Sequence, residues 1–321
     1  MLLLLLAPAI PELLTGSTPI SELALDPFRF ALAFGFEVGL YGGGVLLIRE
    51  FTVALRKGWA SVLLLGGAYG IVEEGLAVHT FFRTSGAPVG VLGQFGHAFG
   101  VNWLWALGLT TFHATYSIAL PILLVGLRYP EVRSDRWLDG SALAVVAAIF
   151  VGVVALFSAN EAYPPTPGAL VLFLGVIAAL VAAAATVPAA LLSVPDGPGR
   201  AGPSGLVLAG TLGFDAWVLV LLLAANGRVP AAIVAVLFVG IDLGALAYVV
   251  RRVGAAGLER SEFYFATGML LALWVWDIPL EFSIPGILGV AAVAAYLQYR
   301  LGRRVLRRGP VPEPGPGRPV G

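Results

Sequence analysis

The chain has 321 residues, of which 59% are hydrophobic and only 12% charged, and its formal net charge is zero. A soluble domain carries about twice that charged fraction, so these charges cannot cover a water-facing surface, and nothing in the balance points to nucleic acid as a partner. The absence of cysteine excludes disulfides, iron–sulfur clusters and thiolate zinc sites, and Lys57, the single lysine, is the only Schiff-base candidate.

Residues 1–14 are apolar but contain Pro8, Pro11 and Glu12. They lack the basic start and cleavage site of a signal peptide, and a short interfacial or re-entrant helix is expected there rather than a further span. A transmembrane helix needs about 20 apolar residues. Runs of that kind stand near 28–50, 59–81, 99–126, 140–159, 168–193, 205–225, 230–250, 262–281 and 285–300. Asp26 and Pro27 give the first span an N-cap and a favoured first helical residue. Turn-rich breaks separate later spans, as at Tyr163-Pro164-Pro165-Thr166-Pro167 and Pro195-Asp196-Gly197-Pro198-Gly199.

The expected fold is therefore an all-α polytopic transmembrane bundle of about nine spans, forming one membrane domain over residues 1–308. Spans within 26–126 and 205–281 carry the polar residues. Those within 140–193 are mostly Ala, Val and Leu and read as scaffold. Residues 309–321 read as a disordered Pro/Gly-rich tail. Alternate loops collect Arg56, Lys57, Arg128, Arg133, Arg136, Arg200, Arg251, Arg252, Arg260 and the six arginines from Arg300 to Arg318, whereas the other side holds Arg29, Arg83 and Arg228. Cytoplasmic loops are the basic ones, which predicts an outside N-terminus, a cytoplasmic C-terminus and residence in the cell membrane.

Ionisable residues inside spans carry the functional signal, because each costs about 2.5–3.5 kcal/mol at the bilayer centre on the insertion scale. Glu37, Glu73, Glu74, Asp215 and Asp242 are the deep acids. At about 1.5 Å rise per residue they fall at similar levels below the outer boundary, with His113 near mid-membrane, so one shared polar cavity is expected. Tyr41 lies one turn beyond Glu37. In the second span, Gly66 and Gly70 share a face with Glu73 and would let a neighbouring helix approach closely. Two carboxylates held together repel, which suits a shared proton and acid–base chemistry. In the third span, Asn102, Ala106, Thr110, His113 and Ser117 form one stripe at helical spacing. In the first, Gly35, Gly39 and Gly43 form a packing ridge, and Arg49-Glu50 reads as a structural ion pair. Asp277 and Glu281 lie near the outer interface.

His79 and His97 could join Glu73 or Glu74 around a divalent metal. No His-Glu-x-x-His or comparable ligand spacing exists, however, so neither a metal nor another cofactor is expected.

A double glutamate followed by a histidine in a later span resembles the CAAX-type and bacteriocin-processing membrane endopeptidases (CPBP) and the PrsW-like glutamic proteases. The resemblance covers residues 59–126. It implies a water-activating role for Glu73 with Glu74, a supporting role for His113, and an approximate substitute in Asn102 for the family's asparagine. The basic residue that the family places after its glutamates is absent here, and Ser117 stands where its histidine motif usually ends in Asn or Asp.

The leading expectation is an intramembrane hydrolase or endopeptidase with catalytic Glu73, Glu74, His113 and Asn102, and with Glu37, Tyr41, Ser117, Asp215 and Asp242 as binding residues. Alternatives are a proton- or cation-coupled transporter using the same acids, a lipid-modifying enzyme, and a non-catalytic assembly partner. Membrane lipid is the expected partner, and a hydrophobic peptide, a lipid or an ion the expected substrate. The sequence does not specify an oligomeric state.

Overall fold

The computed structural model describes residues 1–308. The tail expected to be disordered, 309–321, lies outside the described residues. The chain is a helical bundle, and its only sheet among those residues is a two-stranded antiparallel ribbon.

A short apolar helix, α1 (Leu2–Leu13), and a single turn, α2 (Ser21–Leu25), come first. Eight helices follow that are long and apolar enough to cross a membrane. They are α3 (Pro27–Ala54), α4 (Trp59–Ala77), α5 (Trp103–Arg128), α6 (Gly140–Asn160), α7 (Pro167–Thr186), α8 (Pro203–Asn226), α9 (Ala231–Arg252) and α10 (Leu258–Leu280). Each overlaps an expected span, although α7 ends at Thr186 where the expected span runs to 193. The ninth expected span is α11 (Ile287–Val305), whose 19 residues include Arg300, Arg303 and Arg304 near its end. It is less apolar than the other eight but runs back along α10: Gln298 donates to Thr267 at 2.8 Å, and Arg308 donates to Leu127 O and to Glu259, so its end returns to the level where α10 begins.

Local chemistry explains the helix starts. Asp26 Oδ1 accepts from the Arg29 amide at 2.9 Å, with Pro27 in the first turn of α3. Asp139 caps α6 through the Ala142 amide at 2.8 Å, and Thr166 caps α7 through the Ala169 amide at 3.2 Å. Between α4 and α5, β1 (His97–Ala98) pairs with β2 (Val101–Asn102) in the register His97↔Asn102.

The helices differ sharply in burial. In α4, 78% of the most apolar stretch is buried inside the protein, against 6% in α6 and 17% in α7. Thus α4 is the centre of the bundle, packed on α5 and α7, while α8 and α10 form a second tight pair. The α4–α5 approach depends on missing side chains. A Cβ at Gly66 would lie 2.7 Å from Ala114 Cα, and one at Gly70 would lie 3.0 Å from His113 Cβ. The ridge on α3 meets α6 through Gly39 and Gly43, which face Val153 and Phe150, whereas Gly35 faces open space.

One face of α1 is buried in the bundle, while Leu2 and Leu5 on the other are exposed. Leu3 and Ala7 pack with Tyr41, Val45 and Ile118, while Ile10 and Leu14 pack with Leu120 and Leu123. Its seven α-helical and five π-helical residues span about 18 Å at ~1.5 Å per residue, short of a ~30 Å hydrocarbon core.

Arg49 and Glu50 are buried and paired at 2.6 Å. Arg49 also donates to the carbonyls of Val132, Arg133 and Asp135 and lies 3.3 Å over the Trp137 ring. Glu50 accepts from the Trp137 and Leu138 amides. These contacts pin the loop between α5 and α6 to α3, which is a structural role.

Candidate functional site

Four helices meet at one buried cluster, and each is locally wound as a π-helix there. The π segments are Ala9–Leu13 in α1, Val38–Gly42 in α3, Val72–Ala77 in α4 and His113–Ala119 in α5. Backbone bonds reaching back five residues mark them: Leu14 N–H to Ala9 O, Gly43 N–H to Val38 O, Val78 N–H to Glu73 O and Leu120 N–H to Thr115 O. These segments carry Glu12, Tyr41, Glu73 with Glu74, and His113 with Ser117. A π turn holds more residues than an α turn, so consecutive side chains diverge less and sit at unusual angles. Such bulges occur frequently at functional sites.

The widened turn lets both adjacent glutamates reach one imidazole. His113 Nε2 lies 3.0 Å from Glu74 Oε1, and Nδ1 lies 3.1 Å from Glu73 Oε2. Nδ1 also bonds Ser117 Oγ at 2.9 Å, one turn along its own helix. His113, Glu73, Glu74 and Ser117 are all buried.

The two carboxylates are held differently. Glu74 has both oxygens engaged, one by His113 and the other by the Thr80 hydroxyl, which itself accepts from Trp105 Nε1 at 2.9 Å. Glu73 Oε2, although close to Nδ1, makes no hydrogen bond among the described residues, and neither does the nearby Tyr69 hydroxyl. Tyr41 and Tyr69 flank the imidazole with ring centroids 6.0 Å away.

A line of polar groups leads away from the cluster. Tyr41 donates to Glu12 at 2.5 Å, and the Thr18 hydroxyl, with one proton to give, lies between Glu12 at 3.0 Å and Glu37 at 2.6 Å. A cavity of about 180 Å³ opens between this line and the cluster. Its wall includes Glu12, Thr15, Ser17, Tyr41, Glu74 and His113 on the polar side, and Phe112, Phe214, Trp217 and Trp276 opposite.

The sequence-predicted residues are thus divided. Glu73, Glu74, His113 and Ser117 come together, Tyr41 stands beside them, and Glu37 joins through Thr18 and Glu12. Asn102 stays outside the cluster. It bonds His97 Nδ1 at 2.6 Å and the carbonyls of Thr80 and Arg83, so its amide clamps the loop behind Glu74.

The single cavity expected of five acids is also corrected. Asp215 lies on an exposed face of α8, and Asp242 lines a separate cavity. Equal depth did not bring them together, because depth says nothing about which way a helix faces. Asp277 is fully buried, and both its carboxylate oxygens lack a hydrogen-bond partner among the described residues.

Glu12 is the site residue that sequence reasoning passed over. A lone acid in an otherwise apolar segment was the available signal.

Glu73, Glu74 and His113 each offer one potential ligand atom, all within 4.8 Å of one another, which is a three-ligand spread that a divalent cation could use. His79 and His97 are not part of it: His79 bonds Ser158 at 3.2 Å, and His97 bonds Asn102.

No protein-family model, no curated protein and no solved structure matches this chain.

Proposed function

We propose that the protein is a multi-pass enzyme of the cell membrane, a hydrolase that works by general acid–base catalysis at Glu74 and His113. The observation that carries this reading is the imidazole held at 3.0 and 3.1 Å between two buried carboxylates, beside a cavity of about 180 Å³. Proton transfer needs contacts of this length.

Glu74 and His113 face the cavity, so a water there can lose its proton to Glu74 as its oxygen adds to a carbonyl carbon. The imidazole gives its Nε2 proton to the leaving nitrogen or oxygen as the scissile bond breaks, and Nε2 then takes up the proton held on Oε1. Glu73 and Ser117 back the other ring nitrogen and keep Nε2 aimed at Glu74. The resemblance to glutamate-dependent membrane endopeptidases points the same way, while the charge alternation supports an outside N-terminus.

The test is hydrolysis of membrane-embedded peptide and ester reporters by the protein in liposomes. Glu74→Gln and His113→Asn are expected to lower the rate by about 10²-fold or more, the usual weight of a positioned acid–base group. Unchanged rates in both variants would overturn the reading. A chelator wash is expected to leave the rate unaltered. Loss of activity that zinc restores would instead assign the three ligand atoms to a metal.

A second reading, a proton-coupled carrier, is favoured by the Glu37–Thr18–Glu12–Tyr41 line. It predicts substrate-driven acidification of the vesicle lumen that Glu12→Gln abolishes.

A further inference from the structure

A second, larger cavity of about 540 Å³ lies in the seam where α9 packs along α8 but only grazes α5. It runs from Leu107 to Leu123 along α5 and from Phe238 to Val250 along α9. At ~1.5 Å rise per residue that is a slot roughly 20 Å long, most of the hydrocarbon depth of a bilayer.

The wall is almost wholly apolar. Two of its threonine hydroxyls are committed, Thr111 to Leu107 O at 2.9 Å and Thr115 to Thr111 O at 2.8 Å, while the Tyr116 hydroxyl on the same wall has no hydrogen-bond partner among the described residues. Glu262 at the inner end is held by Arg133 through two bonds of 2.7 and 2.9 Å. An extended peptide here would find almost nothing to pair with its amides, which is strongly unfavourable away from water. A hydrocarbon chain needs no such partners. Phe112, Phe214 and Trp217 belong to the walls of both cavities, so the slot abuts the polar cavity across a partition of three aromatic side chains.

We propose that this slot binds the hydrocarbon chain of a membrane lipid and presents the chain's polar end to Glu74 and His113 across that partition. The inference rests on the hydrolase reading for its second half and names the substrate of that site as a lipid with a labile ester or amide bond. Asp242, half-buried midway along the slot, supplies a control. A chain gains nothing from its carboxylate, whereas a cationic occupant would depend on it. Gly213 supplies a plug, because a Cβ there would meet only Asp242 Oδ1, at 3.6 Å, and the backbone can accept a side chain.

The experiment is photo-crosslinking of the full chain in bilayers. The probe is a phosphatidylcholine with a diazirine near the end of one acyl chain, and adducts are mapped by mass spectrometry. Adducts are expected to concentrate on slot residues such as Thr115 and Leu246, at least fivefold above Val171 and Leu172 on the exposed face of α7. Gly213→Phe should cut the slot adducts about tenfold and leave those on α7 unchanged. If that variant misfolds, Leu246→Trp makes the same test. Asp242→Leu should preserve the slot adducts.

Even labelling of slot and α7, or loss of slot adducts in Asp242→Leu, would overturn the proposal. Preferential slot labelling by a diazirine-bearing transmembrane peptide would assign the slot to a peptide instead. Glu74→Gln should leave slot labelling intact, so lipid binding and hydrolysis can fail separately.

Discussion

At the scale of single residues, the two glutamates of α4 are adjacent in sequence but unequal in surroundings. Glu74 is tied at both oxygens, and this fixes the imidazole that it touches. Glu73 Oε2 is buried without a hydrogen bond among the described residues, an arrangement that is costly unless it serves something. Ser117 offers a way to separate positioning from chemistry. Ser117→Ala removes the 2.9 Å bond to Nδ1 without touching the cavity. The expected result is a fall in kcat of about tenfold, smaller than the ~10²-fold loss from Glu74→Gln, with KM unchanged. Threonine at this position should restore the rate. The identities of Glu73, Glu74 and His113 were legible in the sequence because charge in a span is expensive. Their unequal roles were not, since Thr80 and Trp105 reach Glu74 only through the fold.

Elements bring these residues together through two devices. The first is the glycine face of α4, which was legible because small residues at helical spacing have few other uses in a membrane. Gly66→Ala would put a methyl group 2.7 Å from the Ala114 backbone. It should therefore destabilise the protein by about 1–3 kcal/mol, as overpacking does, and move His113 away from both carboxylates. A lowered thermal midpoint together with reduced activity would check this, and an unchanged midpoint would contradict the packing account.

The second device, the π-winding of four helices, left no mark in the residue pattern. Whether a turn closes four or five residues back depends on what the neighbouring helices demand. The same holds for α1, whose length forbids a span and whose burial follows from the crevice that α3 and α5 leave between them.

Exposed helix ends behave more simply. Glu281 accepts from the amides of Gly286 and Leu288 at 2.9 Å and caps α11, and these bonds hold its carboxyl below the usual range. A carboxyl group lowered on folding stabilises the protein above its unfolded value, near pH 4, and that contribution disappears as the pH falls through the folded value. Glu281→Gln should therefore lower the thermal midpoint at pH 7 and make no difference well below pH 4.

For the whole molecule, the bundle separates into a buried centre around α4 and an outer layer in which α6 and α7 expose most of their surface. The absence of cysteine makes orientation directly measurable. In intact cells, a single cysteine at Gly86 is expected to react with a membrane-impermeant maleimide, while one at Arg136 should react only after permeabilisation. The reverse pattern would refute the orientation read from the loop arginines.

The span boundaries and the basic-loop asymmetry were determined by the sequence alone, because the transfer of a side chain into hydrocarbon is a local quantity that adds along each run. The positions of acids within spans were equally plain. Which acids share a site was decided only by the tertiary structure, since depth follows from sequence position but facing follows from packing. Asp215 turned outward, Asp242 to a second cavity, and Glu12 entered from a helix too short to register as a span. The contacts at 3.0 and 3.1 Å around His113 exist because glycines let α5 approach α4 and because π turns aim consecutive glutamates at one ring.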